Sequence, residues 1–63
     1  MKYLYTITAL RSLDETTDTE VTASFIHKNG GLTDEGIMRI AKRDELLDKS
    51  DRLSRIDTAC YVS

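Results

Sequence analysis

Apolar and polar residues alternate with a period of two in three stretches of the chain, and with a helical period in one. In "KYLYTITALRS", Tyr3, Tyr5, Ile7 and Ala9 fall on one side and Leu4, Thr6, Thr8 and Leu10 on the other. Period two in β-branched and aromatic residues predicts a strand, with the Tyr3/Tyr5/Ile7 side as its core face. "TEVTASFIHKN" repeats the pattern: Val21, Ala23 and Phe25 alternate with Glu20, Thr22 and Ser24. The polar "LDETTDTE" between them reads as a hairpin connection, and so short a link favours antiparallel pairing. "RIDTACYVS" is a third strand, with Ile56, Thr58, Cys60 and Val62 on one side.

The helix follows "NGG", where Asn29, Gly30 and Gly31 can all take positive φ and turn the chain. Thr33 is placed to cap it, Asp34 and Glu35 suit the positive end of its dipole, and Leu32 can staple onto Ile37. From Ile37 onward, Ile40, Ala41 and Leu47 share a face, but Asp44 lands inside that face. A second stripe of Leu46, Leu47, Ser50 and Leu53 is centred about half a turn away. One straight helix cannot bury both on one sheet, so a helix from Thr33 to about Arg43 or Lys49 and then a bend is expected. Ser50 can re-cap a further turn. A lone buried carboxylate costs several kcal/mol unless paired, which favours a break at Asp44 over burial. The expected fold is α+β, in the order ββαβ: a three-stranded, mostly antiparallel sheet with one helix packed on one face, spanning 1–63 as a single small domain.

Composition narrows the chemistry. With 63 residues the chain has room for one small core, and association between copies is a common remedy for so thin a margin. One cysteine and one histidine, Cys60 and His27, supply neither an internal disulfide nor a closed zinc site. A single thiol suits a reducing compartment. The N-terminal stretch lacks a signal-peptide core, and no run reaches membrane-spanning length. A cytoplasmic protein without cofactor, metal or membrane contact is the expectation.

No catalytic constellation stands out. His27 lies at a strand end beside Lys28 and reads as a solvent-facing residue; a general base would need an orienting partner and a nucleophile. Cys60 reads as a buried, inert thiol. Asp14, Glu15, Asp18 and Glu20 crowd the hairpin, but their spacing does not match a calcium loop. "NGG" lacks the lysine of a phosphate loop, and Asp34 and Glu35 would repel the anion.

The helix charges say more. Arg39, Lys42, Arg43 and Lys49 share the outward half, with Met38 at its edge and Leu46 within it. Glu35–Arg39, Glu45–Lys49 and Asp51–Arg55 have the spacing of helix ion pairs, so a solvated face is the plain alternative. The sharper reading is a basic face with an apolar centre, Arg39, Lys42, Arg43, Leu46 and Lys49, that docks an acidic protein surface. The rival reading is a small nucleic-acid-binding regulator using the same residues. A net charge of −2 and the lack of interleaved aromatic residues weigh against it. A hydrolase built on His27 and a carboxylate ranks well below both. The threonines of "TIT" and "TEVTAS" suggest exposed sheet edges, open to strand addition by a target protein or by a second copy in a homodimer.

"YTITA" (Tyr5 to Ala9), "LTDEG" (Leu32 to Gly36) and the terminal Cys60 together resemble very short uncharacterised proteins of enteric phages and prophages. That likeness lies in layout over most of the length and carries over no site residue. It implies a phage or mobile-element origin and a non-enzymatic inhibitor or accessory protein that binds a host protein.

Overall fold

A computed structural model describes residues 1–61; Val62, expected on the third strand, lies outside the described residues. Strand β1 spans Lys2–Ser12, β2 spans Asp18–His27, helix α1 spans Asp34–Arg43 and β3 spans Arg52–Tyr61. The fold is a small α+β arrangement in the order β2-β1-β3, and both pairings are antiparallel. β2 and β3 therefore run parallel to each other on either side of β1, joined through the helix.

The alternation in β1 builds the core. Tyr5, Ile7 and Ala9 are buried on the inner face, where they meet Ile37 and Ala41 of the helix and Leu47 beyond it. Val21, Ala23 and Phe25 flank them from β2 and are half-buried. The rings of Tyr5 and Phe25 stack at 5.3 Å. The other face of the sheet carries Leu4, Thr6, Thr8 and Leu10 in its centre, and no element among the described residues forms a layer over it. An antiparallel sheet tolerates one wet face when that face is polar.

Helix α1 starts as its sequence dictates. The Thr33 hydroxyl accepts the Gly36 N–H at 3.1 Å, and Leu32 packs against the core beside Ile37. The turn before it works differently from expectation. No residue of "NGG" has positive φ; Gly30 is needed because the Tyr3 ring lies against it, and a Cβ there would sit 2.6 Å from Tyr3 Cζ. The buried Tyr5 hydroxyl ties the same turn down, donating to the Asn29 carbonyl and accepting the Leu32 N–H at 3.5 Å.

The helix stops at Arg43, with Asp44 as its C-cap. The Leu46 N–H donates to the Ala41 carbonyl at 2.8 Å and the Glu45 N–H to the Lys42 carbonyl at 3.2 Å. Those two bonds make a Schellman ending, with Glu45 at φ 60° in the position glycine usually fills. The reversal drops Leu47 into the core although it lies beyond the helix. Among the described residues no second helix follows, so the stripe through Leu46, Leu47, Ser50 and Leu53 is not helical. Ser50 donates instead to the Asp48 carboxylate at 2.8 Å.

Strand β3 begins at Arg52, earlier than the alternation suggested, because a bulge hides its first part. Thr8 pairs with Arg55 but Ala9 pairs with Leu53, which leaves Ser54 as the extra residue. The bulge brings Leu53 and Ile56 to the same inner face. A ten-residue helix is only about 15 Å long against about 33 Å for a strand of equal length. It covers β1 and β2, and on the inner side of β3 Ile56 is half-buried against the core while the positions beyond it stay open. Thr58 and Cys60 are therefore exposed, and the expected burial of the Cys60 thiol is corrected.

Candidate functional site

The outward side chains of α1 separate into two groups. Arg39 is exposed on the middle of the helix and faces Glu35 at 3.5 Å, the predicted ion pair. Lys42, Arg43, Leu46 and Lys49 gather at the helix end around one open hollow of about 720 Å³, which Arg11, Glu45, Leu47 and Asp48 also line. The Schellman turn makes this hollow. By reversing the chain at Glu45 it folds Leu46 and Lys49 back beside the last helical turn. The Lys42 ammonium donates to the Lys49 carbonyl at 3.1 Å, holding the two sides together. Met38, expected at the edge of the outward half, is instead half-buried against the core.

The electrostatics of the hollow are mixed. Arg43 is held by Asp44 at 3.2 Å. Lys42 and Lys49 have no carboxylate within ion-pair reach among the described residues. The expected Glu45–Lys49 pair does not form, because Glu45 has left the helix. Lys42 and Arg43 also lie in the last helical turn, where cations complement the dipole. Leu46 is 42 % exposed between them, an apolar spot ringed by charge.

Arg11, which lines the hollow, is held by an ion pair with Asp51. Asp51 is only 2 % exposed. Its two oxygens take the Arg11 Nε and Nη2 protons, each at 2.8 Å. One of those oxygens also accepts the Asp48 N–H at 2.8 Å. The Arg11 guanidinium holds the Asp51 carboxyl below its ordinary range, aided by the Asp48 amide and the nearby Lys42 charge and opposed by burial. The signal was present in the alternation of β1: the face that carries Tyr3, Tyr5, Ile7 and Ala9 continues to Arg11, and a cation on a core face needs an anion. Asp51 is thus the buried carboxylate, and Asp44 stays at the surface. The Asp51–Arg55 helix pair does not exist either; Arg55 meets Asp57 at 3.2 Å along β3.

The remaining candidates are engaged in hydrogen bonds and an ion pair outside the hollow. The His27 Nδ1 accepts the Asn29 N–H at 3.0 Å, closing the turn after β2. Asp14 accepts the N–H and hydroxyl of Thr16 and the N–H of Thr17, which lowers its carboxyl pKa, the Thr16 N–H most of all. Asp18 bonds Ser12 and pairs with Arg52 at 2.9 Å. Among the described residues no cluster of His, Cys, Asp and Glu is placed to hold a metal, and no helix is long and apolar enough to cross a membrane.

Compared with known protein families, curated proteins and solved structures, the chain matches none of them.

Proposed function

We propose that the chain is a non-enzymatic binding module that docks an acidic protein surface on the hollow at the end of α1. The observation that carries this reading is the convergence of Lys42, Arg43, Leu46 and Lys49 there, with Lys42 and Lys49 unpaired by any described carboxylate. An exposed leucine flanked by ammonium groups suits a small interface: covering Leu46 contributes about 1 kcal/mol, and the rim charges steer the encounter and select the partner. Arg39, already turned toward Glu35, lies outside the patch. A phage or mobile-element origin, with a host protein as the target, extends the same proposal and rests on the resemblance of the strand, cap and cysteine segments.

Nucleic acid is the weaker reading. The chain carries a net charge of −2, and no aromatic residue that could stack on a base lines the hollow. A mobility shift at low salt, lost steeply as salt rises, would reinstate it.

The test is affinity capture from a bacterial lysate with the tagged chain, followed by mass spectrometry. The double substitution Lys42→Glu and Lys49→Glu is expected to lose the captured protein with the circular dichroism spectrum unchanged, while Arg39→Glu retains it. Capture that survives the double substitution removes the hollow as the binding site.

A further inference from the structure

The "TIT" threonines, expected at an exposed edge, lie instead in the central strand β1; the edges are β2 and β3, and the two are not equivalent. Along an antiparallel ladder, hydrogen-bonded and non-hydrogen-bonded pairs alternate. The Leu13 N–H donates to the Thr17 carbonyl at the mouth of the hairpin, and the β1–β2 register runs on from there without a bulge. Odd-numbered residues of β2 therefore turn their backbone groups toward β1. The even-numbered ones, Thr22 and Ser24 at the centre, turn theirs outward, where no strand meets them.

From Val21 to Ile26 this edge holds no charge, no proline and no bulge. Those are the devices by which solitary edges avoid pairing. The β3 edge has them: a bulge at Ser54 and the charges of Arg52, Arg55 and Asp57. The core adds a second argument. Among the described residues the buried apolar ones are Tyr5, Ile7, Ala9, Ile37, Ala41 and Leu47, so two of the six are alanine. Small scaffolds with so little interior commonly gain stability by association.

We infer that β2 pairs antiparallel with β2 of a second copy, about a twofold axis at Ala23, to give a continuous six-stranded sheet. In this register Val21 of each copy lies opposite Phe25 of the other on the helix-covered face. Thr22 lies opposite Ser24 on the open face and forms the hydrogen-bonded rungs. Asp18, which also pairs with Arg52 of its own chain, lies opposite Lys28, which meets no carboxylate among the described residues of its own chain. Centring the axis on Thr22 sets Phe25 against Thr19, and centring it on Ser24 sets Val21 against His27. The apolar match is best at Ala23. This inference is independent of the hollow at the end of α1, which lies on the helix side of the molecule.

Sedimentation equilibrium over a wide concentration range tests it, and the expected mass is twice that of the chain. Ser24→Pro removes an outward N–H and no bond within the monomer, so it is expected to weaken association at least tenfold while the circular dichroism spectrum is retained. Should that variant fail to fold, cross-linking decides. With Cys60→Ser in place, Ala23→Cys faces itself across a non-hydrogen-bonded pair, close enough for a disulfide, and mild oxidation is expected to give a covalent dimer. A chain that stays monomeric at every concentration overturns the inference. So does a folded Ser24→Pro dimer of undiminished affinity, or oxidation that links wild-type copies through Cys60 on β3 and leaves the Ala23→Cys variant unlinked.

Discussion

Arg11 and Asp51, forty residues apart in sequence, meet as a two-pronged ion pair that fastens the end of β1 to the segment between α1 and β3. The carboxylate is buried and the guanidinium is partly open, with 38 % of its side chain exposed. Such a pair adds little net stability compared with an apolar one, but removing one partner strands the other. Asp51→Ala removes the anion and also the acceptor of the Asp48 N–H. It is expected to destabilise the fold by about 2 to 4 kcal/mol in urea unfolding. Asp44→Ala, at the surface, is expected to change stability by less than about 1 kcal/mol.

The same pair sets an acid limb. The folded-state pKa of Asp51 is lowered, chiefly by the Arg11 hydrogen bonds, and that of Asp14 by the Thr16 amide. Below the ordinary aspartate range the unfolded chain binds protons that the folded chain still refuses. The contribution of each group is therefore complete above about pH 5 and is lost as pH falls through the folded pKa. Unfolding midpoints measured between neutral pH and pH 2 are expected to fall on acidification. Asp51→Asn starts lower and shows a shallower fall; equal slopes in the two proteins would show that Asp51 is not the group responsible.

Gly30 and Tyr3 make a second close relationship. An added methyl at Gly30 would meet the far end of the Tyr3 ring at 2.6 to 2.8 Å. The ring is half-buried and has to swing away. Gly30→Ala is expected to cost about 1 kcal/mol, without any contribution from φ. In a Tyr3→Leu background, where the outer ring atoms are gone, most of that cost is expected to vanish. A double-mutant cycle on thermal unfolding reads the coupling directly.

The strands were legible because one face of the sheet is covered and the other is wet, so burial imposed period two on β1 and β2. The helix start was legible because Thr33, Asp34 and Glu35 act on groups within one turn of themselves. Distant or compensated features were not. Asp51 gives no local sign of burial, since its partner lies forty residues away on β1. The β3 bulge at Ser54 breaks the alternation it would have to be read from. Cys60 alternates in phase with Ile56, but phase fixes a side of the sheet and not whether anything covers that side. At the hollow, helical spacing alone does not bring Lys49 beside Lys42: a chain reversal, not a continuing helix, does so, and it leaves Arg39 outside the group.

That reversal carries its own prediction. Glu45 takes φ 60° at the position after the C-cap, a conformation that costs a residue with a Cβ about 1 kcal/mol and glycine nothing. Glycine in return loosens the unfolded chain, which offsets part of the gain. Glu45→Gly is expected to stabilise the fold by about 0.5 kcal/mol, and Glu45→Val to destabilise it, since a β-branched residue tolerates positive φ least. The glycine variant also removes an anion from the rim of the hollow while keeping its shape. It is expected to bind an acidic partner at least as well as the parent chain. A loss of stability in Glu45→Gly would mean that the helix ends some other way, and the grouping of Leu46 and Lys49 with Lys42 would fall with it.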